Sequence, residues 1–215
     1  MQTQPVFNLD NLEGPKFDFD AGDLSLDFIN TAEFHASAQP EEYLNSYSDF
    51  LRWAYLGKVV LNDGGNRLLE YALTQPEEAE ETLQRVLVLR EALFHIFTDS
   101  VHDQPVDAED QKIFNQYLSE ALVHSRVVFY GGVAQWVWEG AENRLDWPLW
   151  PIARAAAELL TSENIERLGQ CQDDRGCGWL FIDVSKNHSR RWCSMESCGN
   201  RAKAQRHYER KKQDA

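Results

Sequence analysis

The four cysteines of this 215-residue chain lie close together near its C-terminus, and they constrain the fold more than any other feature. They are Cys171, Cys177, Cys193 and Cys198, in the pattern C-x5-C-x15-C-x4-C. Two close pairs of this kind suit a tetrahedral metal site, because each pair supplies two ligands from one turn. Four soft thiolates leave no open coordination position, so the pattern predicts a structural Zn²⁺ as cofactor. Another metal or cluster, and disulfide-bonded or free thiols, are the alternatives.

The N-terminal sequence gives no sign of secretion. MQTQPVFNLD lacks the charged and apolar regions of a signal peptide, which makes disulfides less favoured and predicts a cytoplasmic protein. The sequence has no run of eighteen apolar residues, so we expect no membrane-spanning segment and no membrane partner.

Charge is distributed very unevenly along the chain. The segment 185–212 has a net charge of +7, whereas the whole chain has −14, which leaves −21 for the remainder. A basic segment on an acidic body is typical of a polyanion-binding arm, and we expect DNA as its partner. A solvated basic tail is the alternative. The predicted nucleic-acid contacts are Lys186, Arg190, Arg191, Arg201, Lys203, Arg206 and Arg210, with Arg201 or Arg206 favoured for a guanine edge.

A helix is predicted after Gly199, from Arg201 to Lys212. At 100° per residue, one face carries Lys203, Arg206, His207 and Arg210. Ala204 and Tyr208 fall on another face, from which we expect them to pack against the metal site.

This C-terminal segment resembles the CGNR zinc finger, which is named for the tetrapeptide that here is Cys198–Arg201. The motifs LFID at Leu180–Asp183 and RRWCSM at Arg190–Met195 match the same pattern. The resemblance implies that the four cysteines are zinc ligands and that the nearby basic residues contact nucleic acid. One departure is that five residues separate Cys171 from Cys177, where the family usually has four.

The segment Leu24–Thr31, LSLDFINT, resembles the LxLDFxNT signature of the ABATE domain. That domain normally precedes a CGNR finger, and its family is described as stress-induced transcription regulators. The polar signature positions are Asp27, Asn30 and Thr31. They predict either a ligand pocket, to which Arg90 would contribute, or caps and buried hydrogen bonds that fix the N-terminal fold.

Residue periodicity predicts an α+β protein of two domains. Residues 1–162 form an ABATE-like, mainly helical domain with a small antiparallel sheet, and residues 163–215 form a zinc-binding β-hairpin and a basic helix. Helices are predicted over 24–35, 41–56, 65–73, 76–101, 108–122 and 147–162, with Asp23 and Asp107 as N-caps. Strands are predicted over 17–20, 163–171, 178–184, and in a hairpin of 125–130 with 133–140. Trp136 and Trp138 share one face of that hairpin, and we expect both to be buried.

Three functional hypotheses follow. The first is a bacterial-type transcription regulator, not an enzyme, whose finger binds DNA while the acidic domain senses a small-molecule effector or mediates assembly. The second is a zinc-stabilised interaction module that forms a homodimer or binds an acidic protein without binding DNA. The third is an enzyme with a site around Asp27, Asn30 and Arg90, although the sequence contains none of the common hydrolase, zinc-protease, P-loop or dinucleotide-binding motifs.

Overall fold

The structure, a computed structural model, describes residues 9–142, 144–173 and 175–213. The remaining residues of the two predicted domains lie outside these ranges. The described residues form seven α-helices: α1 Leu24–Ile29, α2 Tyr47–Leu56, α3 Asn62–Thr74, α4 Pro76–Val101, α5 Ala108–His124, α6 Leu149–Leu160 and α7 Asn200–Gln213. They also form three two-stranded antiparallel sheets, in which β1 Ala32–Glu33 pairs with β2 Glu41–Glu42, β3 Ser125–Tyr130 with β4 Val133–Trp138, and β5 Leu168–Gln170 with β6 Leu180–Ile182. The predicted α+β class is confirmed.

The long helix α4 is the centre of the helical domain (residues 9–162). Pro76 occupies its first turn, where a missing N–H has no consequence, and two glutamates follow at the positive end of the helix dipole. Its apolar residues recur every three or four positions and are buried, among them Leu83, Val86, Leu89, Leu93 and Phe97. Helices α1, α2, α3 and α5 pack on α4, and α6 packs on α1 and α5, so one core extends through the domain.

The start of the chain differs from the prediction. Residues 17–20 form no strand, and the predicted helix over 24–35 ends at Ile29. The chain then turns into β1, and α2 begins at Tyr47 because Ser46 caps it by accepting a hydrogen bond from the backbone N–H of Asp49. Strands β1 and β2 take the place of the predicted helical residues. The chain leaves the helix here because Asn30 hydrogen-bonds to Leu180 and Ala32 to Trp179, both in the C-terminal part of the chain.

The predicted hairpin of β3 and β4 is confirmed, with Ser125 opposite Trp138 and Tyr130 opposite Val133. The predicted burial of both tryptophans is wrong for Trp136, which is 50% exposed, and Trp138 is only partly buried. Trp138, at the base of the hairpin, contacts Trp150 of α6. Trp136 lies one pleat nearer the tip, where the guanidinium of Arg154 covers one side of its ring at 4.6 Å from the centroid.

The finger (residues 163–213) docks directly on the helical domain. Leu180 in β6 is clamped by the Asn30 side chain, which accepts from its N–H at 3.0 Å and donates to its carbonyl at 2.9 Å. The indole N–H of Trp179 donates to the carbonyl of Ala32 at 2.7 Å, and the backbone of Ile182 bonds to Ala21. Strand β6 is therefore attached to α1 and β1 by backbone and side-chain hydrogen bonds.

Among the described residues, no helix combines the length and apolar character needed to span a bilayer.

We expect Asn30→Ala to lower the free energy of unfolding by about 2–4 kcal/mol, because the N–H and carbonyl of Leu180 would stay buried without partners. Urea unfolding of the metal-loaded protein measures the change. Asn45→Ala is the matched control, since Asn45 is exposed and makes one amide bond to Glu42. An equal effect of the two substitutions would contradict the structural role of Asn30.

Candidate metal centre and nucleic-acid interface

The β5–β6 hairpin positions the first cysteine pair. Cys171 follows β5 directly, Cys177 precedes β6, and the backbone N–H of Cys171 donates to Trp179 at 2.8 Å. The predicted hairpin is thus present, but residues 163–167 form a 3₁₀ turn, so β5 is shorter than predicted. Gly176 and Gly178 have positive φ angles, which let the turn between the cysteines close tightly.

The second pair is held by a capped turn at the start of α7. Cys193 precedes this turn, and Cys198 lies within the π-helical segment Met195–Gly199. The hydroxyl of Ser194 accepts from the backbone N–H groups of Glu196 and Ser197 and so caps the segment. Helix α7 continues from it at Asn200, so the ligand turn and the basic helix form one continuous unit.

The four sulfur atoms converge on one point. They lie within 4.8 Å of one another, all four cysteines are buried, and none is in a disulfide. The Sγ atom of Cys193 lies 3.7 Å from that of Cys177 and 3.6 Å from that of Cys198. Sulfurs at the corners of a tetrahedron with metal–sulfur bonds of about 2.3 Å would be about 3.8 Å apart. The arrangement therefore fits a tetrahedral metal ion bound by four thiolates.

Neighbouring thiols and burial raise the pKa of Cys177 and Cys193, burial raises that of Cys198, and hydrogen bonds lower that of Cys171. Backbone N–H groups of Asp173 and Cys193 donate to the sulfur of Cys171, and that of Trp179 donates to Cys177. The guanidinium of Arg201 lies 2.9 Å from both the Cys198 sulfur and a carboxylate oxygen of Asp173. A positive charge at this distance offsets part of the negative charge that four thiolates bring to a divalent ion.

Comparison with known families agrees with this geometry. Residues 22–163 match the ABATE family, described as "Putative stress-induced transcription regulator". The chain belongs to the ABATE family. Residues 167–211 match the CGNR zinc finger, so the chain consists of an ABATE domain followed by a CGNR finger. No curated protein matches the chain.

Two of the arginines predicted to contact nucleic acid are used inside the finger. Arg190 donates to the carbonyls of Trp192 and Cys193, and its guanidinium lies 4.2 Å from the centroid of the Phe181 ring. Arg201 is occupied by Asp173 and the metal centre. Both side chains hold the ligand turns in place, which removes Arg201 as the favoured candidate for a guanine contact. The acidic stretch QDDRG between Cys171 and Cys177, upstream of the basic segment 185–212, was the sequence signal for a partner such as Asp173.

The other predicted contacts are exposed: Lys186, Arg191, Lys203, Arg206 and Arg210. Arg191 and Arg206 both lie over the Trp192 ring, with their guanidinium carbons 5.2 and 5.7 Å from its centroid. The predicted packing of Ala204 and Tyr208 on the metal site is wrong, because both residues are exposed and line an open groove with Asp173 and Arg175. Helix α7 packs on the π-helical turn before it, and its basic residues Lys203, Arg206 and Arg210 are exposed.

The polar residues of the ABATE signature do not converge on one site. Thr31 bonds to Phe28 and accepts from Arg90 at 3.3 Å, whereas Asn30 faces Leu180. Asp27 accepts from the N–H of Ala21.

Arg90 is buried and paired with two carboxylates. It donates to both carboxylate oxygens of Glu42, at 2.5 and 2.6 Å, and to Glu91, which also bonds to His35. Burial acts to raise the pKa of Glu91, but His35 and Arg90 outweigh it and lower that pKa to about 2. Of these partners, sequence reasoning missed Glu42 and His35, because they are far from Arg90 in the chain and carry no motif.

We expect Asp27→Asn to raise the melting temperature above that of the wild type at pH 8 by about 2–4 °C, and to raise it less at pH 5.5. Burial, together with Asp20 and Asp23, raises the pKa of Asp27 to about 7. The folded state therefore binds this proton more tightly than the unfolded state, so the wild type loses stability as the pH rises from about 4 to 7. Thermal unfolding at both pH values, with Asp18→Asn as an exposed control, measures the effect. A gain that is the same at both pH values would contradict it.

Proposed function

We propose that this protein is a zinc-dependent, DNA-binding transcription regulator of the cytoplasm, and not an enzyme. The observation that carries the proposal is an exposed basic helix, α7, that starts from a centre of four converging thiols on an otherwise acidic chain. The metal would fix the direction in which the helix leaves the body, and the helix would provide the surface that contacts DNA.

Zinc is the ion that best suits the donor set. Four soft sulfur ligands in a closed tetrahedron match a structural Zn²⁺ site, and carboxylate-binding ions such as Mg²⁺ or Ca²⁺ would not choose them. The described core of the finger is small, with Phe181 as its one fully buried aromatic beside the cysteines. A bound ion would therefore supply much of the folding free energy of this segment, on the order of 10 kcal/mol.

Helix α7 has the dimensions and charge for the major groove. Its 14 residues make a rod of roughly 21 Å in length, and a helix of about 10–12 Å in diameter fits a groove of about 12 Å in width. Lys203, Arg206 and Arg210 would contact DNA from the helix, and Lys186 and Arg191 would contact phosphates beside it. With Arg201 held at the metal centre, Arg206 is the remaining candidate for a guanine edge. The strongly acidic body would be kept away from the DNA by charge repulsion.

The ABATE domain would serve as the sensor or assembly part of the regulator. Its segment after β1 bonds to the first cysteine turn, with the N–H of His35 donating to the carbonyl of Cys177 and that of Ala36 to Gly176, both at 3.1 Å. The same His35 reaches Glu91 through its ring, beside the buried Arg90. A small molecule that changed the position of this segment would thereby move a metal-ligand turn.

A protein-interaction role is the second candidate. The exposed basic helix and the −21 charge outside 185–212 would also allow α7 of one copy to bind the acidic body of another. Salt-sensitive self-association without affinity for DNA would favour this alternative.

We expect the purified protein to contain one zinc ion per chain and Cys193→Ser to contain less than about a tenth of that amount, because three sulfurs no longer close the tetrahedron. Elemental analysis after dialysis measures the content. Ser197→Ala, next to Cys198 in the same turn, is the control and should retain the ion. A metal-free wild type, or equal zinc in Cys193→Ser, would contradict the site.

We expect binding to duplex DNA to weaken with salt, with log K falling against log salt at a slope of about −0.9 per phosphate contact. The triple variant Lys203→Gln/Arg206→Gln/Arg210→Gln should reduce the size of that slope by about 2–3, because each lost cation is one lost phosphate contact. Fluorescence anisotropy over a salt series measures both.

The matched control removes three positive charges from the ABATE domain, as Lys58→Gln/Arg67→Gln/Lys112→Gln. These side chains are exposed and lie outside the finger, so net charge changes equally while α7 is intact. A wild-type slope near zero would exclude DNA as the partner. Equal effects of the two triple variants would mean that net charge, and not α7, governs binding.

A further inference from the structure

The β3–β4 hairpin exposes apolar side chains over about half or more of their surface, although Arg154 covers one side of the Trp136 ring. On one face, cross-strand neighbours Val127 and Trp136 are 48% and 50% exposed, and Phe129 nearer the tip is 73% exposed. At the tip, the paired residues Tyr130 and Val133 point to the opposite face of the hairpin and are 63% and 61% exposed. These five residues are called the hairpin patch below. Contiguous apolar surface of this kind marks an interaction site on a protein otherwise covered with charge.

The strands of the hairpin also have unprotected edges. The sheet has two strands within the described ranges, so the outer edge of each presents unpaired N–H and carbonyl groups. Proteins usually protect such edges with lysine, proline or a covering element. The hairpin sequence SRVVFYGGVAQWVW contains no lysine or proline, and an isolated two-stranded hairpin is itself marginally stable in water. Both features are accounted for if another chain packs on it.

We propose that a second copy of this chain covers the hairpin patch, forming a symmetric dimer through the two hairpins. Charge favours a copy of the same chain here: Arg126 is the one charged residue from 125 to 138, and it pairs with Glu139 at 3.0 Å. Arg154, which lies on the Trp136 ring, is paired with Glu158 at 3.5 Å. Two chains of net charge −14 meet with least repulsion at such a neutral surface. The same neutrality disfavours DNA, which binds uncompensated positive charge.

Counted over both faces of the hairpin, the exposed apolar area approaches that of a dimer interface. The three aromatic residues are half to mostly exposed. Together with the two valines they expose roughly 500–700 Å² of apolar surface, if each full aromatic side chain is taken as about 150–250 Å². A stable interface buries about 800 Å² per partner. The last turn of α5, which leads into the hairpin, adds the exposed residues Leu122 and Val123. A two-fold axis makes one patch complementary to itself, so no second surface is needed. Under the proposed function the dimer would present two α7 helices, but the dimer itself rests on the hairpin alone.

Sedimentation velocity on the full, zinc-loaded chain without DNA tests the proposal, over roughly 1–100 µM protein at about 0.15 and 0.5 M salt. We expect a wild-type dimer at both salt concentrations. Val127→Asp/Phe129→Asp should weaken it at least about 100-fold, since a buried unpaired carboxylate is introduced from both copies.

The matched control is Leu61→Asp/Leu73→Asp at the two ends of α3. These leucines are 73% and 52% exposed, and the exposed fractions of Phe129 and Val127 are similar, at 73% and 48%. Circular dichroism and zinc content verify that each variant is folded. The milder tip variant Tyr130→Ser/Val133→Thr provides a second test if the aspartates disturb the hairpin, and it too should weaken the dimer.

Three results would overturn the proposal. The first is a wild type that stays monomeric over the whole concentration range, even if its tryptophan emission shifts when DNA or another protein is added. The second is a dimer that survives both hairpin variants. The third is a dimer that dissociates in high salt while tolerating the hairpin variants, which would assign association to α7 and the acidic body.

Discussion

Convergence of four sulfur atoms is the constraint on which the architecture of the C-terminal finger depends. The finger has little apolar core of its own, and its two cysteine turns are separated by a segment without helix or strand between β6 and the π-helical turn. A tetrahedral ion would join these turns where packing alone cannot. Because Cys198 lies on the turn that leads into α7, the position of that sulfur also sets the direction of the helix.

Hydrogen bonds connect the finger to the ABATE domain, in addition to the apolar contacts that place Leu180 and Ile182 in the main core. The signature residue Asn30 satisfies both backbone groups of Leu180, and Thr31 accepts from the buried Arg90. Buried polar groups of this kind have strict geometric requirements, because each one left unpaired is costly. The signature is therefore explained in this chain by docking and fold specification, and it gathers no shared pocket.

Local signals in the sequence predicted much of this structure, and distant partners account for the errors. The cysteine spacing, the Gly131-Gly132 hairpin and the apolar repeat of α4 each depend on neighbouring residues, and each prediction agrees with the structure. The failures are long-range. Nothing near Arg201 in sequence reveals that it faces Asp173, and the exposure of Trp136 depends on how far the hairpin extends past α6.

The close fit of Gly178 against the ABATE domain bears on how such a finger can be exchanged between proteins. A Cβ atom there would lie 2.6 Å from that of Ala36, so the two backbones touch with no room for a side chain. Zinc fingers are often regarded as autonomous beads that can be grafted from one chain to another. The surface of this finger is complementary in shape to the ABATE domain. Transferring it to another protein would therefore require transferring the segment around Ala36 with it.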